Sequence, residues 1–218
     1  ATQGARGGCR YHVQHISSAG SVEIVGRARR DDRGRRLITA EASPHHLHLT
    51  HEACEGFDTN AKMNPPLREA SDVAAIRQAV ADGVITVLAT DPPPHTPETK
   101  ATDFESASFG IVGLETALPL YAEALVESGA IDWPRLIALL TVEPARLCNL
   151  DSRGLGRLEA GGPADVTLLD PGVEWTVHAA EFASRGRNTP FEGRRVRGRA
   201  VRTIVAGRTA WSLAGQPA

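Results

Sequence analysis

Seven of the eight histidines (His12, His15, His45, His46, His48, His51 and His95) fall in the first half of the chain, and only His178 lies beyond it. Two of them share a setting with one carboxylate. His15 follows the β-prone run 11–14, His46 follows the run 36–42, and Asp91 follows the apolar run 84–89. Neutral imidazole and carboxylate are the ligands a hydrolytic zinc ion takes, and a bound metal lowers the pKa of its water to about 7. Cys9, Cys54 and Cys148 form no CxxC pair, so neither a thiolate metal site nor a disulfide framework is indicated. Any metal is therefore expected on His15, His46 and Asp91. Taken singly, a histidine at a strand end is most often a surface or capping residue, and an aspartate before proline suits a turn; the combination points to a metal. His12 stands an odd number of residues from His15, which puts it on the opposite face of a strand as a packing or supporting residue. His45, His48 and His51 read as solvated.

The elements that must hold these groups alternate between strand and helix. Residues 1–10 are Gly- and Arg-rich without period and read as a frayed end, entering a strand at 11–16. Apolar Val22, Val25 and Ala28 have helical spacing within 21–30, and 36–42 is β-rich up to Ser43-Pro44. Ser71 suits the N-cap of a helix over 72–82 with Val73, Ile76, Ala79 and Val80 on one face, and Gly83 suits its stop. The run 84–89 has the continuous apolar character of a strand buried in a parallel sheet. Further helices are expected at 113–127, kinked at Pro119, and at 133–140. From Gly154 onward, short strands between turns take over, with one long irregular stretch at 177–193. The expectation is α/β: a partial (β/α)8 TIM-like barrel over 1–150, followed by a small β-sandwich-like appendage over 151–218. Parallel strands gather functional groups at their carboxyl ends, which is where His15, His46 and Asp91 stand.

The balance of the chain excludes other classes. With 218 residues, 24 Lys+Arg against 26 Asp+Glu and a formal charge of −2, it carries no basic excess for nucleic acid. Its longest apolar runs fall far short of the roughly 20 residues of a membrane helix, and its N-terminus has no charged-then-apolar leader pattern. The expected compartment is the cytoplasm.

Five motifs in one order, Tyr11-His-Val-Gln-His-Ile-Ser-Ser18, Thr39-Ala-Glu-Ala-Ser-Pro-His-His-Leu47, Lys62-Met-Asn-Pro-Pro-Leu-Arg68, Thr90-Asp-Pro-Pro-Pro-His95 and Asn188-Thr-Pro-Phe191, closely resemble bacterial dihydroorotases of the amidohydrolase superfamily. The resemblance runs from about Tyr11 to Ala210 and corresponds to the C-terminal half of such an enzyme. It implies that His15 and His46 hold one zinc of a binuclear site and that Asp91 both ligates metal and shuttles the proton. It implies that Asn64, His95 and the backbone at Phe109 and Gly110 bind substrate. The implied reaction interconverts N-carbamoyl-L-aspartate and dihydroorotate in pyrimidine biosynthesis: a metal-activated water attacks the ring amide carbonyl and the aspartate returns the proton to the leaving nitrogen. A small-molecule substrate, a homo-oligomer and an association with aspartate carbamoyltransferase follow as expectations.

Two departures stand out. Pro92 and Pro93 replace residues that the family usually carries as His-Ala between the aspartate and the Pro-His that follows. The family's first-strand His-x-His motif, its neighbouring substrate arginine and its bridging lysine or aspartate all precede the equivalent of Tyr11, and a full barrel takes about 250 residues. The competing readings are a hydantoinase or allantoinase relative, and a non-catalytic homologue acting as a structural partner.

Overall fold

The computed structural model describes residues 8–213; the frayed end expected before Gly8 lies outside them. Strands β1 (Tyr11–Val13), β2 (Ile38–Ala42) and β3 (Val87–Leu88) form a parallel sheet in that spatial order. Tyr11, His12 and Val13 pair with Ile38, Thr39 and Ala40, while Glu41 and Ala42 pair with Val87 and Leu88. β2 is the central strand, and its alternation sorts the chemistry. Ile38, Ala40 and Ala42 are fully buried in the core between sheet and helices, whereas Thr39 and Glu41 face the other side.

The crossover from β1 to β2 carries two helices. α1 (Ala19–Ala28) starts at Ser18, whose hydroxyl accepts the Ser21 N–H at 3.3 Å, and buries Val25. The strand expected over 36–42 is helical in its first part. Asp31 caps α2 (Asp32–Leu37) by accepting the Gly34 N–H at 2.6 Å, so β2 begins only at Ile38. Gly34 is required there, since a Cβ would stand 2.1 Å from the Ala28 carbonyl oxygen.

After β2 come α3 (Pro44–His48) and α4 (Ala70–Ala81). α4 buries the expected Val73, Ile76, Ala79 and Val80, but Glu69 rather than Ser71 is its N-cap. Asp72 decides this: its carboxylate accepts the Glu69 N–H at 3.4 Å and, through its other oxygen, the Ala19 N–H of α1 at 2.8 Å. α5 (Pro97–Lys100) follows β3. α6 (Ala117–Tyr121) runs on as a π turn over Ala122–Glu127. Pro119 sits in the first turn of α6, where its missing N–H costs nothing, so the irregularity comes from the π turn and not from the proline. α7 (Trp133–Leu140) is where the sequence places it, capped by Asp132, and α8 (Val142–Leu147) follows.

A second, antiparallel sheet joins β4 (Val166–Thr176), β5 (Arg195–Val205) and β6 (Arg208–Ser212) in that order. The β5–β6 hairpin turns on Ala206 and Gly207, both at positive φ. A second core runs across residue 150: Met63, Leu67, Ile111 and Leu120 pack with Val177, Phe182, Phe191 and Val196. The 177–193 stretch, irregular in sequence, is thus anchored by apolar side chains. Among the described residues no helix is long and apolar enough to cross a membrane.

Candidate active site

At the carboxyl end of β1 the chain leaves the ladder after Val13 and rejoins β2 where the Ile16 N–H donates to the Glu41 carbonyl at 2.9 Å. His15 lies in the step between them at φ +33, a left-handed conformation that side chains other than glycine rarely adopt. This step breaks the two-residue alternation, so the sequence argument that His12 and His15 face opposite sides does not carry past Val13. Both meet Glu41. The Glu41 carboxylate accepts the His12 Nε2–H at 2.8 Å and lies 3.4 Å from the His15 backbone N–H. With Nε2 donating, the His12 ring is placed to accept the Thr39 hydroxyl at Nδ1, 2.8 Å away. His12 therefore has the supporting place expected of it.

Asp91 stands just past β3, also in the left-handed region at φ +44. An open cavity of about 560 Å³ is lined by Gln14, His15, Glu41, Thr90, Asp91 and Pro92 among others. Two strand-end residues, both in costly backbone conformations, thus share one wall, and such strain persists where the surrounding structure over-determines it. His15 Nδ1 is buried without a hydrogen-bond partner, which costs about 1–3 kcal/mol unless something fills it.

His46 belongs to a different set of bonds. Ser43 Oγ lies 2.9 Å from His45 Nε2 and 2.7 Å from His46 Nδ1, and His46 Nε2 is 3.0 Å from the Pro65 carbonyl. The chain of donors runs from His45 through the Ser43 hydroxyl to His46 and on to Pro65. Burial, with the Pro65 carbonyl opposing it and the nearby His15 adding to it, pushes the His46 imidazole down to about 4. His45, expected to be solvated, is only 3% exposed, and burial lowers its pKa well below the ordinary histidine value. His48 is half-buried against the Leu120 carbonyl at 2.6 Å, while His51 is exposed as expected.

The residue types fit a zinc ion: two imidazoles and a carboxylate, with an unpartnered nitrogen on His15. Both His46 nitrogens are already engaged, and among the described residues no group of three His, Cys, Asp or Glu is placed to hold a metal ion. The chain offers a partial ligand set.

The remaining expected residues divide. Asn64 is exposed at the cis Asn64–Pro65 peptide, next to the carbonyl that holds His46. His95, Phe109 and Gly110 form one unit. His95 Nε2 donates to the Phe109 carbonyl at 2.8 Å, and the His95 N–H donates to Asn188 Oδ1 at 2.9 Å. The Asn188 amide donates to the carbonyls of Pro93 (2.9 Å) and Gly110 (3.0 Å). Gly110, at φ +109, lies so close to Pro93 that a Cβ would stand 1.9 Å from its Cγ. The unusual Pro93 is thus packed against a glycine, and Pro94 likewise meets Gly186, where a Cβ would stand 2.7 Å away. Beside this unit a cavity of about 260 Å³ is lined by Asn60, His95, Lys100, Arg187 and Asn188 among others.

Sequence reasoning assigned no role to Glu41, Asn188 or Lys100. Glu41 is legible as the one carboxylate inside a buried β-run, and Asn188 as the head of the Asn-Thr-Pro-Phe motif. Lys100 gives no sequence signal.

The profile of the amidohydrolase family matches residues 17–210. The chain is 49% identical over 204 residues to the dihydroorotase of Syntrophotalea carbinolica, covering 94% of this chain and 46% of that protein. It is 48% identical over 201 residues to the dihydroorotase of Pelotomaculum thermopropionicum, covering 92% and 46%. It spans about half the length of these relatives. Among solved structures, the L-hydantoinase (dihydropyrimidinase) of Arthrobacter aurescens superposes with a TM-score of 0.88 at 29% identity, over 98% of this chain and 47% of that one. The D-hydantoinase (dihydropyrimidinase) of a Thermus species gives 0.84 at 25%, over 97% and 46%. A family match that begins before α1 and runs through β5 takes in almost every element around the strand ends, and the chain belongs to the amidohydrolase family.

Proposed function

We propose that this chain carries one part of the active site of a dihydroorotase, which interconverts dihydroorotate and N-carbamoyl-L-aspartate. The observation that carries the reading is the shared placement of His15 and Asp91: carboxyl ends of the two strands that flank β2, left-handed backbone, one cavity and an unfilled imidazole nitrogen. In this reading the parallel sheet is one portion of a (β/α)8 barrel, and residues 151–218 form its β appendage.

His15, His46 and Asp91 would hold zinc, which when bound polarises the ring amide carbonyl and lowers the pKa of water. His46 would have to give up its Pro65 or Ser43 hydrogen bond to join them. Asp91, exposed on the cavity wall, accepts a proton from the attacking water and returns it to the ring nitrogen as the amide bond breaks. Glu41 fixes His15 through its backbone and His12 through its ring. Asn64, His95 and the Phe109–Gly110 backbone bind the substrate. Among the described residues all three cysteines are free, in keeping with a reducing cytoplasm. A homo-oligomer and a complex with aspartate carbamoyltransferase belong to the same reading.

The likeness to the Arthrobacter aurescens L-hydantoinase favours a second cyclic amide, hydantoin. The test is ultraviolet detection of ring opening by the intact gene product, with dihydroorotate and hydantoin offered separately. Turnover of dihydroorotate that Asp91→Ala abolishes supports the proposal; turnover of hydantoin alone replaces it with the second reading.

A further inference from the structure

Two buried lysines have no place in the chemistry above. Lys62 and Lys100 are 8% and 5% exposed. Neither forms an ion pair with a carboxylate among the described residues. Burying an ammonium group is costly unless its N–H groups find partners, and here the partners are main-chain carbonyls of a single segment. Lys62 Nζ donates to Glu105 and Ala107, each at 2.7 Å. Lys100 Nζ donates to Ser108 at 2.8 Å and to Gly110 at 3.2 Å. With His95 on the Phe109 carbonyl, every carbonyl from Ala107 to Gly110 is held by a side-chain donor.

The amides of the same segment are also largely committed. Ala107, Ser108 and Gly110 donate to Asp103, Thr99 and Lys62. The Phe109 N–H has no hydrogen-bond partner among the described residues. Lys62 further lies 4.5 Å from the centre of the Phe109 ring, which is half exposed. Burial brings the Lys100 ammonium down to about 8, with Lys62 adding to the effect and Asp58 opposing it.

We propose that Lys62 and Lys100 are positioning residues, whose ammonium groups fix the 105–110 segment so that the Phe109 amide and His95 are presented together to the substrate. This rests on the functional reading above. Each lysine acts through main-chain carbonyls. Hydrogen bonds from a charged donor are roughly twice as strong as neutral ones, which suits a segment with no strand or helix of its own.

The test uses Lys62→Met and Lys100→Met in the intact gene product, with Lys100→Gln as a milder variant that keeps a donor if methionine prevents folding. Amide hydrogen exchange and dihydroorotate kinetics are read on the same samples. Expected are exchange at Ala107, Ser108 and Gly110 faster by tenfold or more, and a KM raised about tenfold with kcat changed less than threefold. Exchange unchanged in 105–110 overturns the proposal, as does faster exchange with an unaltered KM. A wild-type protein that turns over no dihydroorotate overturns the functional reading instead, and the positioning role is then decided by exchange alone.

Discussion

The Glu41 carboxylate lies 2.8 Å from His12 Nε2 and 3.4 Å from the His15 backbone N–H, so one buried group in the central strand supports both histidines of β1's carboxyl end. Glu41→Ala leaves the half-buried His12 ring without that acceptor, and a loss of about 1–3 kcal/mol of stability is expected. Glu41→Gln keeps an acceptor and should lose less. Denaturant midpoints of the two variants check this; equal losses would remove the carboxylate's assigned role.

His15 Nδ1, buried and unpartnered, should gain most when zinc binds. Zinc added to the metal-free intact protein at about 100 times its dissociation constant is expected to stabilise it by about 2.7 kcal/mol. His15→Ala and Asp91→Asn should each reduce that gain. A thermal shift of full size in His15→Ala would exclude His15 as a ligand.

The strand ends were legible because apolar runs stop abruptly at polar residues: Val13 before His15, Leu88 before Asp91. What lay beyond the sequence was long-range. Nothing local says that Asp72 would cap α4 from Glu69 and bond α1 at once, or that Asp31 would extend a helix over 32–37 into a β-prone run. His45 read as solvated because its neighbours are polar, yet it is buried through contacts with His46 and Ser43. Pro92 and Pro93 looked disruptive, since proline rigidity is visible in sequence and the glycine opposite Pro93 is not.

Gly110 should therefore be intolerant of any side chain. At φ +109, with Pro93 Cγ 1.9 Å from where a Cβ would stand, Gly110→Ala must move the proline loop that carries Asp91 and His95. The expected result is a loss of about 1–3 kcal/mol from backbone strain alone, together with weaker substrate binding. Circular dichroism melting and a KM measurement on Gly110→Ala give the answer; wild-type values for both would show that the loop does not depend on this contact.

Tyr121 is fully buried, and its hydroxyl lies 3.0 Å from the Ala42 carbonyl and 2.8 Å from that of Ala89, spanning the carboxyl ends of β2 and β3. Tyr121→Phe removes this bridge while keeping the ring. A destabilisation of about 1–3 kcal/mol is expected from the Ala89 carbonyl left without that donor, the Ala42 carbonyl keeping the Ala89 N–H at 3.1 Å, and hydrogen exchange at Ala89 should quicken while β5 is unaffected. A variant as stable as the parent would mean that the β2–β3 ends are held by backbone bonds alone.

The buried histidines set the acid limit of the fold. His46 is held at about 4 against an ordinary 6.5, chiefly by burial, and His45 is shifted in the same direction. The unfolded chain therefore binds protons more readily than the folded one between those values. Stability is full above about pH 6.5 and falls as pH drops toward 4, by about 3 kcal/mol from His46 alone. Denaturant unfolding of the metal-free protein at pH 7, 6 and 5 should follow this slope, and His46→Asn, which cannot be protonated, should flatten it. A slope unchanged in His46→Asn would assign the acid sensitivity to other groups, with His45 the first to test in the same way.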